Sequence, residues 1–391
     1  MKKRMMYYMS GLVLIFLIAF ILLKQTGNSA DQKLAISSHH NKTVLVEPAY
    51  KQFESSITLG AVGDILIHNS LYEDAQTDDG GYDFRPMFEL VRPDMQKPDI
   101  MFANQETILG GTALGLSSYP RFNSPYEVGD ALKDAGVDIV SMANNHTLDR
   151  GPQAVMNATD YLNQIGIQYV GAYRSLEDQN THRVIEKQGI STGFLAYTYG
   201  TNGLIRPENQ PYLVQYIDVE KISQDIKEMK ELADFVVVSL HFGIEYQRFP
   251  NDDQKQIVQR LHEAGADVIL GHHPHVLQPV DWLESEDGHK TFVIYSLGNF
   301  LSGQSELYQR IGALLQMDLH KQIDEEGISY DISNVRIMPT YNYRPNYRNY
   351  KIVPLFDADE YNLPEAKALF EEISEHMKAF TEENIEIVPS F

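Results

Sequence analysis

The sequence predicts an α/β domain set behind an N-terminal apolar segment. Three observations carry this: short apolar runs recur from Ile57 to Phe300, stretches of helical period lie between them, and one uncharged run stands near the amino terminus. Taken in order, "MKKR" comes first, Met5 to Leu23 carries no charge, and Leu12 to Leu23 is apolar without a break. That length falls between a signal-peptide core and a full span of roughly 20 residues. The following "KQTGNSADQ" offers no small-x-small cleavage site. Residues 1–24 therefore read as an uncleaved signal anchor, one transmembrane helix with its basic end in the cytoplasm and the C-terminal domain extracellular. Cleavage and release is the alternative.

Residues 25–55 are polar and aperiodic, as expected of a tether, and His39 and His40 within them read as solvated. The domain proper is expected over residues 56–320. Its strand candidates are "ITLGAVGDIL", "PDIMFANQE", "VDIVSMANNH", "GFLAYTYG", "DFVVVSLHFG", "DVILGHHPH" and "FVIYSLGNF". Helical stretches separate several of them: "SPYEVGDALKDAG", "GPQAVMNATDYLNQIG", "VEKISQDIKEMKEL" and "NDDQKQIVQRLHEAG". Residues 321–391 are expected to complete the domain. "GALLQMDLH" and "ISYDISNVRIMPTY" alternate like antiparallel strands, and "LPEAKALFEEISEHMKAF" reads as a terminal amphipathic helix with Pro364 near its start. "YNYRPNYRNY" is read as packing on the domain, the alternative being an anion contact through Arg344 and Arg348.

Composition narrows the function. Lys+Arg total 32 against Asp+Glu 54, a formal charge of −22, which excludes nucleic acid as a partner because phosphate binding needs clustered basic surface. There is no cysteine, so disulfides, thiol catalysis and Cys-ligated zinc are excluded. A transition-metal site must be built from His, Asp, Glu, Asn and water.

The polar residues then stand out by position. Asp64 follows "LGAV", Glu106 follows "IMFANQ", Asn145 and His146 follow "IVSMAN", His241 follows "VVVSL", and His272, His273 and His275 follow "VIL". In α/β sheets ligands bind outside the carboxyl ends of strands, so these residues are placed to converge on one crevice. Their types suit one or two divalent cations of Mn, Fe or Zn type. His146 with Asp149 three residues later offers an oriented imidazole for acid–base work. His272 is expected, on strand alternation, to point away from the H-x-H pair and serve a structural or supporting role. Glu245 and Tyr246 read either as substrate contacts or as packing, and Gly298 and Asn299 as a turn beside the site.

"GDILIH", "NQET", "NNHTLDRG", "HFGIEY", "GHHPHVLQP" and "YSLGNF", in that order, resemble the CapA family of poly-γ-glutamate capsule biosynthesis proteins, from about Ile57 to Phe300. That resemblance implies a role in capsule synthesis, export or anchoring, with poly-γ-glutamate or its precursor, membrane-bound synthase subunits and the cell membrane as partners. The family is in turn similar to the calcineurin-like metallophosphoesterases, implying a sandwich of two β-sheets flanked by helices. Carried over, Asp64 would bind a first metal, Glu106 would bridge, Asn145 and His241 would bind a second, His273 and His275 would be shared between the two, and His146 would act near the leaving oxygen. Two departures stand: Leu66 occupies the third position of D-x-H, with His68 the nearest histidine, and Glu106 replaces an aspartate. Two alternatives stand beside the capsule role: an active metal-dependent hydrolase of phosphoesters or γ-glutamyl polymer, and a non-enzymatic scaffold of the synthase complex.

Overall fold

A computed structural model describes residues 53–325, 327–381 and 385–391. The expected anchor, residues 1–24, the tether as far as residue 52, and His39 and His40 lie outside the described residues. Among the described residues no helix is long and apolar enough to cross a membrane.

The architecture is mixed α/β with two sheets. The first comprises β1 (Phe53–Leu66), β2 (Ile100–Asn104), β3 (Ile139–Ser141), β4 (Gln168–Val170), β11 (Asn299–Ser302), β12 (Ile311–Asp324), β13 (Gly327–Tyr343), β14 (Lys351–Pro354) and β15 (Ile385–Ile387). Their order is β14-β13-β12-β1-β2-β3-β4, with β11 beside β1 and β15 beside β13. From β1 to β4 the pairing is parallel; from β1 through β12 and β13 to β14 it is antiparallel. The second sheet comprises β5 (Arg183–Lys187), β6 (Ile190–Thr198), β7 (Phe235–His241), β8 (Val268–His272), β9 (Leu277–Glu284) and β10 (Lys290–Leu297), in the order β5-β6-β7-β8-β10-β9.

Strand β7 shows why the sheets stack. Every residue of "FVVVSLH" is buried, yet Phe235 and Val237 join the core between the sheets while Val236, Val238 and Leu240 join a second cluster. A strand covered on both faces must be apolar at consecutive positions, which is what this run supplies. The second cluster includes Ile222, Ile226 and Met229 of helix Val219–Lys230 and Val258 and Leu261 of helix Asp252–Glu263. The latter helix opens with a capping box between Asn251 and Gln254, which satisfies orphan amides at its first turn. Between the sheets, Phe102 of β2 stacks on Phe194 of β6 with ring centroids 6.1 Å apart.

The four long helices and the terminal helix, Ala366–Met377, fall where the apolar periodicity puts them. Short strands β4 and β5 and strand β9 have no counterpart among the expected runs; at three to eight residues, part polar, they are held by their neighbours' backbone ladders. "YNYRPNYRNY" is largely packed: Tyr350 is buried, Arg344 stacks on Tyr347, and Arg348 donates to the Glu73 carbonyl.

Candidate metal centre

Parallel register sets the level of the site. Asp64 on β1 is the register partner of Asn104 on β2, and Asn104 that of Ser141 on β3. In the second sheet His241 ends β7 opposite His272, which ends β8. Chain segments leaving these ends carry Glu106, Asn145, His146, His273 and His275 into the same crevice. Two glycines permit the approach of backbone. A Cβ at Gly63 would meet the Gly298 carbonyl oxygen at 2.0 Å, and one at Gly271 would meet that of Tyr295 at 1.9 Å. With glycine at position 63, the next amide, Asp64 N–H, donates to the Gly298 carbonyl at 2.9 Å.

The structure brings the expected ligands together. Asp64 is fully buried; its Oδ2 lies 3.1 Å from His275 Nδ1, and Asn104 Nδ2 donates to its Oδ1 at 2.8 Å. Glu106 is equally buried, with Oε1 3.6 Å from both His275 Nε2 and His241 Nε2. His241 Nε2 lies 2.9 Å from Asn145 Oδ1. His273 packs beside His241, ring centroids 4.9 Å apart, and beside Tyr199 at 4.6 Å. Ligand atoms of Asp64, Glu106 and His275 all lie within 4.8 Å of one another, as do those of Glu245, His273 and His275.

Fit to a cation can be judged from what these groups lack. Both Glu106 oxygens and His273 Nδ1 are buried without a hydrogen-bond partner. A buried carboxylate without donors costs several kcal/mol unless charge or hydrogen bonds compensate it. Neutral imidazole nitrogen and carboxylate oxygen are also the donor types borderline divalent cations take. The residues fit.

Electrostatics divide the cluster. Burial pushes the Glu106 carboxyl well above its ordinary range. Burial likewise holds His241 well below the ordinary imidazole value, and burial with the neighbouring His275 takes His273 down to about 3. These two rings are neutral, the form that ligates. Burial would raise Asp64 and lower His275, but their contact dominates. The close His272 and His275 rings hold Asp64 well below its usual value, and Glu106 and Asp64 lift His275 to about 9.

His146 stands at the edge of this group. Its Nδ1 lies 2.7 Å from Asp149 Oδ2, an oxygen that also accepts from Phe122 N–H at 2.7 Å. Phe122 meets the ring edge-on, centroids 4.7 Å apart, so orientation is fixed from two sides. With Nδ1 engaged, Nε2 is the nitrogen left for the cleft, a hollow of about 340 Å³ lined by His68, Tyr119, Asn145, His146, Glu245 and His275 among others. A larger hollow, about 590 Å³, lies elsewhere around Tyr169, Arg174 and Arg183, where Arg183 is already paired with Asp178; it carries no comparable cluster.

One expectation changes, and the place of His68 is settled. His272 does not point away from the site: its ring is fully buried with Nδ1 3.4 Å from Asp64 Oδ1. Strand alternation ends at His272, and His273 and His275 adopt φ of 97° and 59°, left-handed values that re-aim the chain. His68 does not stand in for the absent histidine among the clustered ligand atoms. Its Nδ1 lies 3.1 Å from the Leu66 carbonyl and 3.2 Å from the Gly303 amide, and its ring abuts Phe122.

Asn104 and Asn299 were not legible as site residues. Asn299 Oδ1 lies 3.0 Å from His275 Nδ1, and Gly298 before it has φ of 63°, so the expected turn also supplies a polar partner. For Asn104 the available signal was its place as the last residue of the apolar "IMFAN" run.

A buried carboxylate–imidazole cluster at the strand ends of a two-sheet α/β fold defines a candidate metal-binding protein. Residues 58–304 match the family described as bacterial capsule synthesis protein PGA_cap, and the chain belongs to that family. It is 31% identical over 283 residues to PGA biosynthesis protein CapA of Bacillus subtilis (strain 168), covering 70% of this chain and 71% of that protein. It is 28% identical over 286 residues to capsule biosynthesis protein CapA of Bacillus anthracis, covering 71% and 67%. Among solved structures, the NAD nucleotidase NadN of Haemophilus influenzae is similar with TM-score 0.45 and 12% identity over 87% of this chain and 65% of that one. A 5'-nucleotidase precursor from Thermus thermophilus is similar with TM-score 0.41 and 14% identity over 82% and 60%. The chain thus spans less than two thirds of the length of either structure.

Proposed function

We propose that this chain is a membrane-anchored, extracellular capsule-synthesis protein of calcineurin-like metallophosphoesterase type, which holds one or two divalent cations of Mn, Fe or Zn type and hydrolyses a bond in poly-γ-glutamate or a phosphoester precursor of it. The observation that carries the metal-dependent reading is Glu106, a fully buried carboxylate whose two oxygens have no hydrogen-bond partner and which faces His275 and His241 at 3.6 Å. Asp64, Glu106, Asn145, His241, His273 and His275 would hold the cations. Bound there, such ions supply positive charge against developing negative charge and make water a stronger nucleophile near neutral pH.

The chain's own residues do the rest. Asp149 fixes His146 by its Nδ1, so Nε2 is directed at the cleft and can pass a proton to the departing atom. Tyr119, Tyr246 and Leu204 line the cleft. An anionic polymer approaching a chain of formal charge −22 is repelled overall, so contact is restricted to places where cations offset the carboxylates. Membrane-bound synthase subunits are the expected neighbours.

A scaffold role has one specific observation behind it: buried Leu66 at the position where the phosphoesterase pattern has its first histidine. The two readings separate by experiment. The full-length chain is assayed for bound metal, and a capsule-null strain is complemented with the parent or with the His273→Ala/His275→Ala variant. Loss of metal together with loss of capsule supports the metal-dependent reading; normal capsule from a metal-free variant favours the scaffold.

A further inference from the structure

The geometry points to Glu245 as a ligand to a second cation, at the open side of the centre, a role that rests on the metal-dependent reading above. Two ligand groups share His275. The inner one, Asp64, Glu106 and His275, is buried throughout; the outer one combines buried His273 and His275 with exposed Glu245, its ligand atoms also within 4.8 Å of one another. His273 is nine-tenths buried and more, and its Nδ1 has no partner, so the outer group contains an unanswered nitrogen as well as a carboxylate.

Glu245 is not there by chance of a floppy loop. The segment after β7 turns at Gly243, φ 99°, and Tyr246, φ 66°. Tyr246 N–H donates to the Pro274 carbonyl at 2.7 Å, tying the segment to the residue between the two histidines. The Tyr246 hydroxyl accepts from Gln304 Nε2 at 3.4 Å, a second tie that holds the segment in place. A non-glycine residue held at positive φ beside a cluster is the kind of strain that persists where a site over-determines the backbone. The inner position is short of the histidine that Leu66 replaces, and the outer position gains an oxygen ligand. Because Glu245 is the exposed member of its group, it is the ligand an incoming substrate oxygen can displace.

The test uses the full-length chain, stripped of metal and titrated with Mn²⁺ by calorimetry, with frozen-solution EPR to report ion pairs. The parent is expected to bind two ions, and Glu245→Gln to lose the weaker one or bind it at least tenfold more weakly while the tighter is unchanged. His273→Ala should affect the same ion. If Glu245→Gln binds Mn²⁺ with the parent's stoichiometry and affinities, Glu245 is not a ligand and the inference is overturned while the metal-dependent reading stands. If the parent itself binds no Mn²⁺, that reading falls and the inference with it.

Discussion

Replacing Glu106 by glutamine removes an ionisable group from a place where its oxygens have no hydrogen-bond partner. Both carboxylate oxygens are buried and unpartnered, so the metal-free protein bears an unsatisfied polar cost of about 1–3 kcal/mol per group. Burial pushes the Glu106 carboxyl well above the ordinary range, so glutamine, shaped like the neutral acid, costs the metal-free protein little. Glu106→Gln is therefore expected to be neutral or stabilising by up to about 1–2 kcal/mol without metal. With Mn²⁺ at about a thousand times its dissociation constant, the parent gains about 4 kcal/mol. At about 1.4 °C per kcal/mol for a body of roughly 340 residues, that is a rise of about 6 °C. The variant should gain less than half of it. The assay is thermal unfolding of both proteins in chelator and in Mn²⁺. If Glu106→Gln destabilises the chelated protein as much as the loaded one, the carboxylate is a structural group and the reasoning fails.

Other outcomes follow from the same geometry. Because the folded value of Glu106 is raised, its contribution to metal-free stability is complete below the ordinary value of 4.5 and is lost as pH rises through the folded value; Glu106→Gln should flatten that loss in pH-dependent melts. His68 behaves oppositely: burial lowers it from 6.5 to about 4, so stability is lost as pH falls from 6.5 to about 4, by about 3 kcal/mol at most, and His68→Gln should remove that acid limb. Asp149→Asn should lower any hydrolytic turnover by about a hundredfold or more with Mn²⁺ affinity unchanged, since it touches His146 and not the ligands. Gly271→Ala should cost about 3 kcal/mol or more and deplete soluble protein, because its Cβ would meet the Tyr295 carbonyl at 1.9 Å.

Strand ends were legible because burial demands apolar runs, and a polar residue closing such a run is conspicuous. Asp64, His241 and the histidines after "VIL" were visible for that reason. What was hidden depends on distance between segments remote in sequence. Glu245 reaches the cluster through a backbone bond from Tyr246 to Pro274, two segments far apart in the chain, which no local pattern encodes. His272 was mis-aimed because alternation holds only inside a strand, and the positive φ at His273 ends it. Strand β9 was missed because half of it, from Asp281 on, is only partly covered and lacks a continuous apolar signature.

The contact between Asp64 and His275 spans 211 residues of chain. During synthesis the amino-terminal strand is available long before its partner histidine, and the parallel pairing of β1, β2 and β3 can form while half the protein is still unmade. The cation position cannot. It comes into being only when the chain has been made through His275 and the second sheet has closed on the first, so a copy truncated before β8 is left without the cluster.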